Sequence, residues 1–194
     1  MCGLVGTLLY PRRRSAEELE RILEITTANL LGNEERGKDA AGIAVVQQSG
    51  DYRVFKQPVC ASDLVMMSGY EKVLETVSEE TVTILAHTRA PTKGSRWHNV
   101  NNHPIVAGYV VGIHNGVIEN DDELFMNFQL SRAGEVDSEI VFRLQTSVDP
   151  VRANGEYEAA ILRKVGRLQG RFATLSVDLR RPMLLRLLVR IASI

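Results

Sequence analysis

The chain has 194 residues, 44% of them hydrophobic and 24% charged, a balance that supports one globular domain with a full core and argues against disorder. Its formal net charge is -1 and its pI about 6.4, so no overall charge excess selects nucleic acid or an anionic membrane as a partner. No apolar run approaches the ~20 residues of a membrane span.

The start of the chain is not a secretory signal, because polar and basic residues follow within about ten positions. With two cysteines, Cys2 and Cys60, the reduced cytoplasm is the default setting, although a Cys2–Cys60 disulfide is compatible with the sequence. Gly3 to Leu9 reads as a short, largely buried strand closed by Pro11, which places the amino terminus in a core rather than on a tail. The basic runs Arg12 to Arg14 and Arg180 with Arg181 read as solvated turns. Ser15 and Glu18 form a capping box, and Leu19, Ile22, Leu23, Thr26 and Leu30 follow at helical spacing until Gly32. Glu35 to Gly42 is a polar, glycine-punctuated turn leading into the strand Ile43 to Gln47. Ser49-Gly50-Asp51 signals a turn, and Tyr52 to Lys56 returns as the second arm of a hairpin.

Ser62 to Glu80 is helical in pattern but broken at Gly69. Thr81 to Ala86 is a β-branched strand that delivers His87-Thr88-Arg89 at its end. A polar loop from Ala90 to Val100 holds the one tryptophan, Trp97. Asn101 to Pro104 then leads to a strand, Val106 to Ile113, which ends in His114-Asn115-Gly116. Helices follow from Asn120 through Phe128, from Asp137-Ser138-Glu139 through Leu144, and from Asn154 to Leu168. A closing strand pair spans Phe172 to Val177 and Met183 to Ile191. Short antiparallel strands with helices outside them predict an α+β fold of stacked sheets between helical layers, a single domain over 1–194 without repeats.

Cys2 is the first candidate for chemistry. If Met1 is removed, one residue carries both a thiol and a free α-amino group, which titrates at roughly 7.7–8 and can take the thiol proton directly or through one water. Thiolate is the attacking form of cysteine. A hydrolase of a small amino-acid amide then needs oxyanion donors, a cation for the α-carboxylate and an anion for the α-ammonium. Asn115 and Gly116 can supply a side-chain amide and a close backbone N–H. Arg89 can hold a carboxylate in bidentate fashion, and Asp137 can receive an ammonium group. Each has a plainer reading: a buried cysteine, a hairpin Asn-Gly turn, a solvated arginine and a helix cap.

Taken together, these stretches resemble a known family. Met1-Cys2-Gly3-Leu4-Val5-Gly6, Arg36 to Gly42, His87-Thr88-Arg89 with Thr92 and Gly94, Asn101 to Pro104, His114 to Asn120 and Asp137-Ser138-Glu139 occur in the order found in the glutaminase domain of class II, N-terminal nucleophile glutamine amidotransferases. The match is strongest to the glucosamine-6-phosphate synthase branch and weakens after about residue 140, through Gly170-Arg171-Phe172-Ala173. The resemblance implies a four-layer αββα sandwich, the Ntn-hydrolase fold, with L-glutamine as substrate and no cofactor or metal. It implies Cys2 as nucleophile, Asn115 with Gly116 as oxyanion hole, Arg89 for the substrate carboxylate and Asp137 for its ammonium. Thr92 falls in the substrate-contact loop, Arg36 in a motif that braces the nucleophile, and His87 and His114 beside the binding residues in supporting positions. The implied reaction is a thioester route to glutamate and ammonia, the ammonia passing to a synthase domain or partner subunit that this chain does not contain.

Two positions depart from that pattern: Ala90 and Lys93 stand where the sugar-phosphate synthases have Trp and His, which removes a bulky lid element. Two other readings stay open, a stand-alone amidohydrolase on another amide and a catalytically idle glutamine-binding or regulatory domain. A metal site built from Cys2, Cys60, His87, His103 and His114 lacks paired ligand spacing.

Overall fold

Four segments form the first sheet: β1 (Gly3–Leu8), β2 (Ala40–Gln47), β3 (Tyr52–Gln57) and β4 (Thr81–Arg89), in the antiparallel order β1-β4-β2-β3, with alanine and β-branched residues concentrated in the central β2 and β4. A second antiparallel sheet follows in chain order: β5 (Ile105–Ala107), β6 (Val110–Ile118), β7 (Gly170–Asp178) and β8 (Leu185–Arg190). This is a computed structural model, and it describes residues 1–153 and 155–191. Asn154, where the sequence starts its last helix, therefore lies outside the described residues.

Helices α1 (Ala16–Gly32), α2 (Ala61–Leu64) and α3 (Ser68–Leu74) cover the first sheet; α4 (Asp121–Asn127), α5 (Glu139–Thr146) and α6 (Tyr157–Val165) cover the second. Three apolar clusters separate the four layers. Leu30, Ile43, Val45, Ile84 and Tyr70 fill the space between helices and the first sheet. Ala44, Val46, Leu85, Val111, Ile113 and Val177 lie between the sheets. Phe142, Ile140, Leu144, Tyr157 and Ile161 pack under the second sheet. Burying each large apolar side chain stabilises the fold by about 1.5–3 kcal/mol. With apolar residues on both faces, the central strands lose the polar alternation of a half-exposed sheet: β2 is buried along all but its last residue, and β4 along its whole length.

The expected αββα sandwich is present, with local differences. The helical stretch after Ser62 breaks at residues 65–67 rather than at Gly69, which sits inside α3 because the Phe55 ring occupies the place a Cβ would take. The single strand expected over Val106 to Ile113 is a hairpin, β5 and β6, turning at Gly108 with φ +64°. Asn120 is the N-cap residue of α4, but its side-chain amide joins Arg167 and Gln169 across the chain instead of capping the helix. Arg180 is not a solvated turn residue: its guanidinium holds the fully buried Asp178 at 2.6 Å.

Candidate active site

The ends of β1 and β4 and the middle of β6 converge at one edge of the sandwich. Gly3 pairs with Thr88, so Cys2 lies beside the end of β4, where Arg89 and Ala90 follow. Gly3 has no room for a side chain against Asn33 and Thr88, and its N–H donates to Thr88 Oγ1 at 3.2 Å. Thr88 in turn donates to the carbonyl of Asn33 at 2.8 Å. This anchors the first strand and fixes where the thiol points.

Cys2 is held on several sides. Its backbone N–H donates to Asn115 Oδ1 at 2.9 Å, and its carbonyl accepts from Arg36 Nε at 3.1 Å. Its Sγ lies 3.5 Å from the donating N–H of Ala90 and 3.6 Å from the Ala90 carbonyl. Because a backbone N–H can only donate, the Asn115 amide is turned with Oδ1 toward Cys2, which leaves Nδ2 as a donor for the cleft. Burial pushes the Cys2 thiol up, opposed by the Ala90 hydrogen bond and by the positive charges of the amino terminus and Arg89. The thiol therefore needs a base to become nucleophilic.

A cleft of about 170 Å³ opens over this thiol, lined by Cys2, Arg89, Ala90, Thr92, His114, Asn115, Gly116, Asp137 and others. Met1, exposed, stands at its mouth and still carries the α-amino group. Arg89 is buried, and three of its hydrogen bonds go to the protein: Asn102 Oδ1 at 2.7 Å and the carbonyls of Lys93 and Gly94 at 2.8 and 2.9 Å. At most two of the five guanidinium donors then remain for a ligand. Asp137 is buried, accepting from Ile118 N–H at 2.7 Å and Ser138 N–H at 2.9 Å. Those two bonds, one on each oxygen, fix the Asp137 carboxyl group in the same cleft as the Arg89 guanidinium.

His87, His103 and His114 form a buried cluster next to the cleft, with ring centroids 4.4 Å and 6.3 Å apart along the series. His87 Nε2 meets the His114 carbonyl at 2.9 Å, so that nitrogen carries the proton of a neutral ring. Burial lowers His87 to about 3 and His114 to about 4, the second opposed by Asp137, and it lowers His103 as well. These rings are neutral near pH 7, so the cluster adds no positive charge to the cleft.

The structure thus brings together every residue the sequence singled out: Cys2, Arg89, Thr92, His114, Asn115, Gly116 and Asp137 on the cleft, with Arg36 and His87 touching their backbones. Trp97 is exposed, stacked beneath Arg96 at 4.6 Å and away from the cleft wall, so it does not stand in for the missing lid residue. Cys60 lies at the start of α2 with Ser62 and Asp63; both thiols are free, which removes the disulfide alternative. Two contributors had no assigned role at the level of sequence. Asn102 holds Arg89, and half-buried Lys56 holds this loop by donating to the Asn102 carbonyl at 2.6 Å and to that of Pro104 at 2.9 Å. Burial, with the nearby Arg89 charge, lowers the Lys56 ammonium to about 8. A single lysine in a strand gives no pattern by which to find it. Among the described residues no group of three or more His, Cys, Asp and Glu has metal-binding geometry, and no helix is long and apolar enough to cross a membrane.

No family model matches the chain. It is 30% identical over 189 residues to the glutamine–fructose-6-phosphate aminotransferase [isomerizing] of Escherichia coli K12, an alignment that covers 94% of this chain and 27% of that protein. It is 29% identical over 185 residues to the enzyme of the same name from Aliivibrio fischeri, with the same coverage. The chain thus spans about a quarter of the length of these curated relatives. Its fold matches the glutamine phosphoribosylpyrophosphate amidotransferase from B. subtilis complexed with ADP and GMP, with a TM-score of 0.62 at 18% identity over 92% of this chain and 35% of that one. A structure described as the allosteric regulatory enzyme of purine biosynthesis gives a TM-score of 0.61 at 18% identity, over 91% of this chain and 34% of that one. The two-sheet sandwich is thus the fold of these amidotransferases, and sequence similarity to the glutamine–fructose-6-phosphate aminotransferases runs along nearly the whole of this chain.

Proposed function

We propose that the chain hydrolyses the side-chain amide of L-glutamine and delivers the ammonia to an acceptor site on a synthase domain or partner subunit, in a reducing compartment such as the cytoplasm. The observation that carries this reading is the joint placement, around one small cleft, of a thiol, an amide donor turned outward and two buried charges of opposite sign. Arg89 takes the α-carboxylate and Asp137 the α-ammonium, which points the side-chain amide toward Cys2. Thr92, on the rim, contacts the bound amino acid.

Removal of Met1 leaves the Cys2 α-amino group in the position from which its N–H now meets Asn115, and that amine takes the thiol proton. The thiolate adds to the amide carbon, and the oxyanion is held by Asn115 Nδ2 and the Gly116 N–H. The amine returns its proton to the leaving nitrogen, ammonia departs, and a γ-glutamyl thioester remains on Cys2. Water, deprotonated by the same amine, cleaves the thioester to glutamate. Arg36, bound to the Cys2 carbonyl, keeps the first residue in register through these steps.

The test is intact-mass spectrometry before and after 6-diazo-5-oxo-norleucine, alongside glutamate release. Loss of Met1, a single adduct localised to Cys2, and glutamate release abolished in Cys2→Ala are the expected results. A processed chain that takes no adduct and releases no glutamate would overturn the proposal.

A further inference from the structure

The cleft loop carries an ion pair that the proposed chemistry does not use. Lys93 follows Thr92 on the rim, and its Nζ lies 2.7 Å from Asp121 Oδ2 and 3.6 Å from Asp122 Oδ2 at the start of α4. The backbone of the same residue is engaged as well, since the Lys93 carbonyl accepts from Arg89 Nη2 at 2.8 Å. Lys93 is therefore tied at both ends, its main chain to a buried guanidinium and its side chain to a buried carboxylate. It thereby links Arg89 at the end of the first sheet to the helical layer over the second.

Asp121 is suited to hold such a tether. Its side chain is 5% exposed and also binds Arg132, whose other arm reaches Asp122 at 2.6 Å and whose guanidinium lies 4.3 Å over the Phe125 ring. A buried carboxylate left without a cation is strongly destabilising, but here Arg132 neutralises Asp121 whether or not Lys93 is engaged. The Lys93 side chain is 40% exposed, so its ammonium can leave the pair for water at modest cost while Arg132 stays on the carboxylate. One fixed ion pair and one releasable one on the same carboxylate make a catch that opens without unfolding its base.

Nothing bulky helps to close the loop. The residue after Arg89 is Ala90, and Trp97 points to solvent. We propose that Lys93 is a positioning residue: the Lys93–Asp121 ion pair latches the 90–95 loop across the cleft and so holds Arg89 ready for the substrate α-carboxylate. The identity of that substrate rests on the glutaminase reading above; the latch itself rests on the contacts alone.

Two measurements on the full chain separate these claims. Hydrogen exchange of the Ser95 amide, which donates to Glu135 Oε2 at 3.1 Å, reads the latch without any substrate, and glutamine kinetics read its consequence. In Lys93→Ala that amide exchanges about tenfold faster or more at an unchanged urea midpoint, because Arg132 still covers Asp121. The glutamine KM rises about tenfold with kcat within about twofold, since what is lost is substrate binding common to ground and transition states. Lys93→Arg restores both. A general structural defect would instead lower the urea midpoint and would not be rescued by arginine. Unchanged exchange in Lys93→Ala overturns the latch, and faster exchange with unchanged KM overturns its role in binding. Faster exchange in Lys93→Ala with no glutamine turnover by the unsubstituted chain supports the latch and overturns the glutaminase reading.

Discussion

Gly116 occupies a backbone position that a side chain would break. Its φ is +131°, and a Cβ there would collide with the carbonyl oxygen of Arg171 on β7. The neighbouring strand lies this close because Gly116 pairs with Phe172 in the sheet, directly after Asn115 has turned its amide to Cys2. The Asn-Gly pair is thus not a hairpin turn; it sits inside β6, where the glycine lets β7 pass closer than any side chain would allow. Strain at such a position costs on the order of 1–3 kcal/mol for a non-glycine residue. Gly116→Ala is therefore expected to lower stability by about 2 kcal/mol or more, the backbone strain adding to the steric shift against β7. Urea unfolding of the variant measures it, and a midpoint equal to that of the unsubstituted chain would mean that β7 simply moves away. The same reasoning accounts for Gly3, whose lack of a side chain allows Thr88 and Asn33 to close on the residue next to the thiol.

At the scale of elements, α1 shows what local sequence decides. Ser15 accepts from the Glu18 N–H at 3.2 Å, and Glu18 accepts from the Ser15 N–H at 3.0 Å, so both halves of the capping box form. Ser15 is exposed, and the ion pair of Glu18 with Arg12 at 2.7 Å does not involve it, so Ser15→Ala should cost about 1 kcal/mol through the lost cap alone. Equilibrium denaturation would register that as a small fall in midpoint, and a loss several times larger would point to a tertiary role for Ser15. Signals of this kind, confined to four residues, were readable from the sequence, as were the strands that hold Cys2, Arg89 and Asn115. The β5–β6 hairpin was not, because Val106 to Ile113 is one apolar run whose turn glycine, Gly108, looks like any other. What makes the turn is Thr146 on α5, which donates to the Ala107 carbonyl and accepts from the Tyr109 N–H at 3.2 Å. A contact across some forty residues leaves no local pattern. The same limit hid Asn102 and Lys56, whose roles exist only once the loop has been laid against Arg89.

Across the whole molecule, the layers meet at three neutral histidines. His87 rises from the end of β4, His114 from β6, and His103 from the loop between them, with Arg89, Lys56 and Asp137 as their charged neighbours. Burial dominates in each case and disfavours the protonated ring; Lys56 and Arg89 add to this for His87 and His103, whereas Asp137 opposes it for His114. The unfolded chain titrates these rings near their ordinary value of ~6.5. Below that pH the unfolded state binds protons that the folded state refuses until about pH 4 for His114 and about pH 3 for His87. Stability therefore rises with pH through this window and falls as pH drops from about 6.5, the direction set by the larger number of protons on the unfolded chain. Each ring accounts for at most ~2 kcal/mol between pH 7 and pH 5. Most carboxylates stay ionised over that interval and contribute little to the change. Urea unfolding at pH 7, 6 and 5 should show a midpoint that falls steadily, by an amount that several rings together, and not one, can supply. A midpoint independent of pH over that range would mean that the cluster takes up protons in the folded state, and with them a positive charge beside Asp137 at the edge of the substrate cleft.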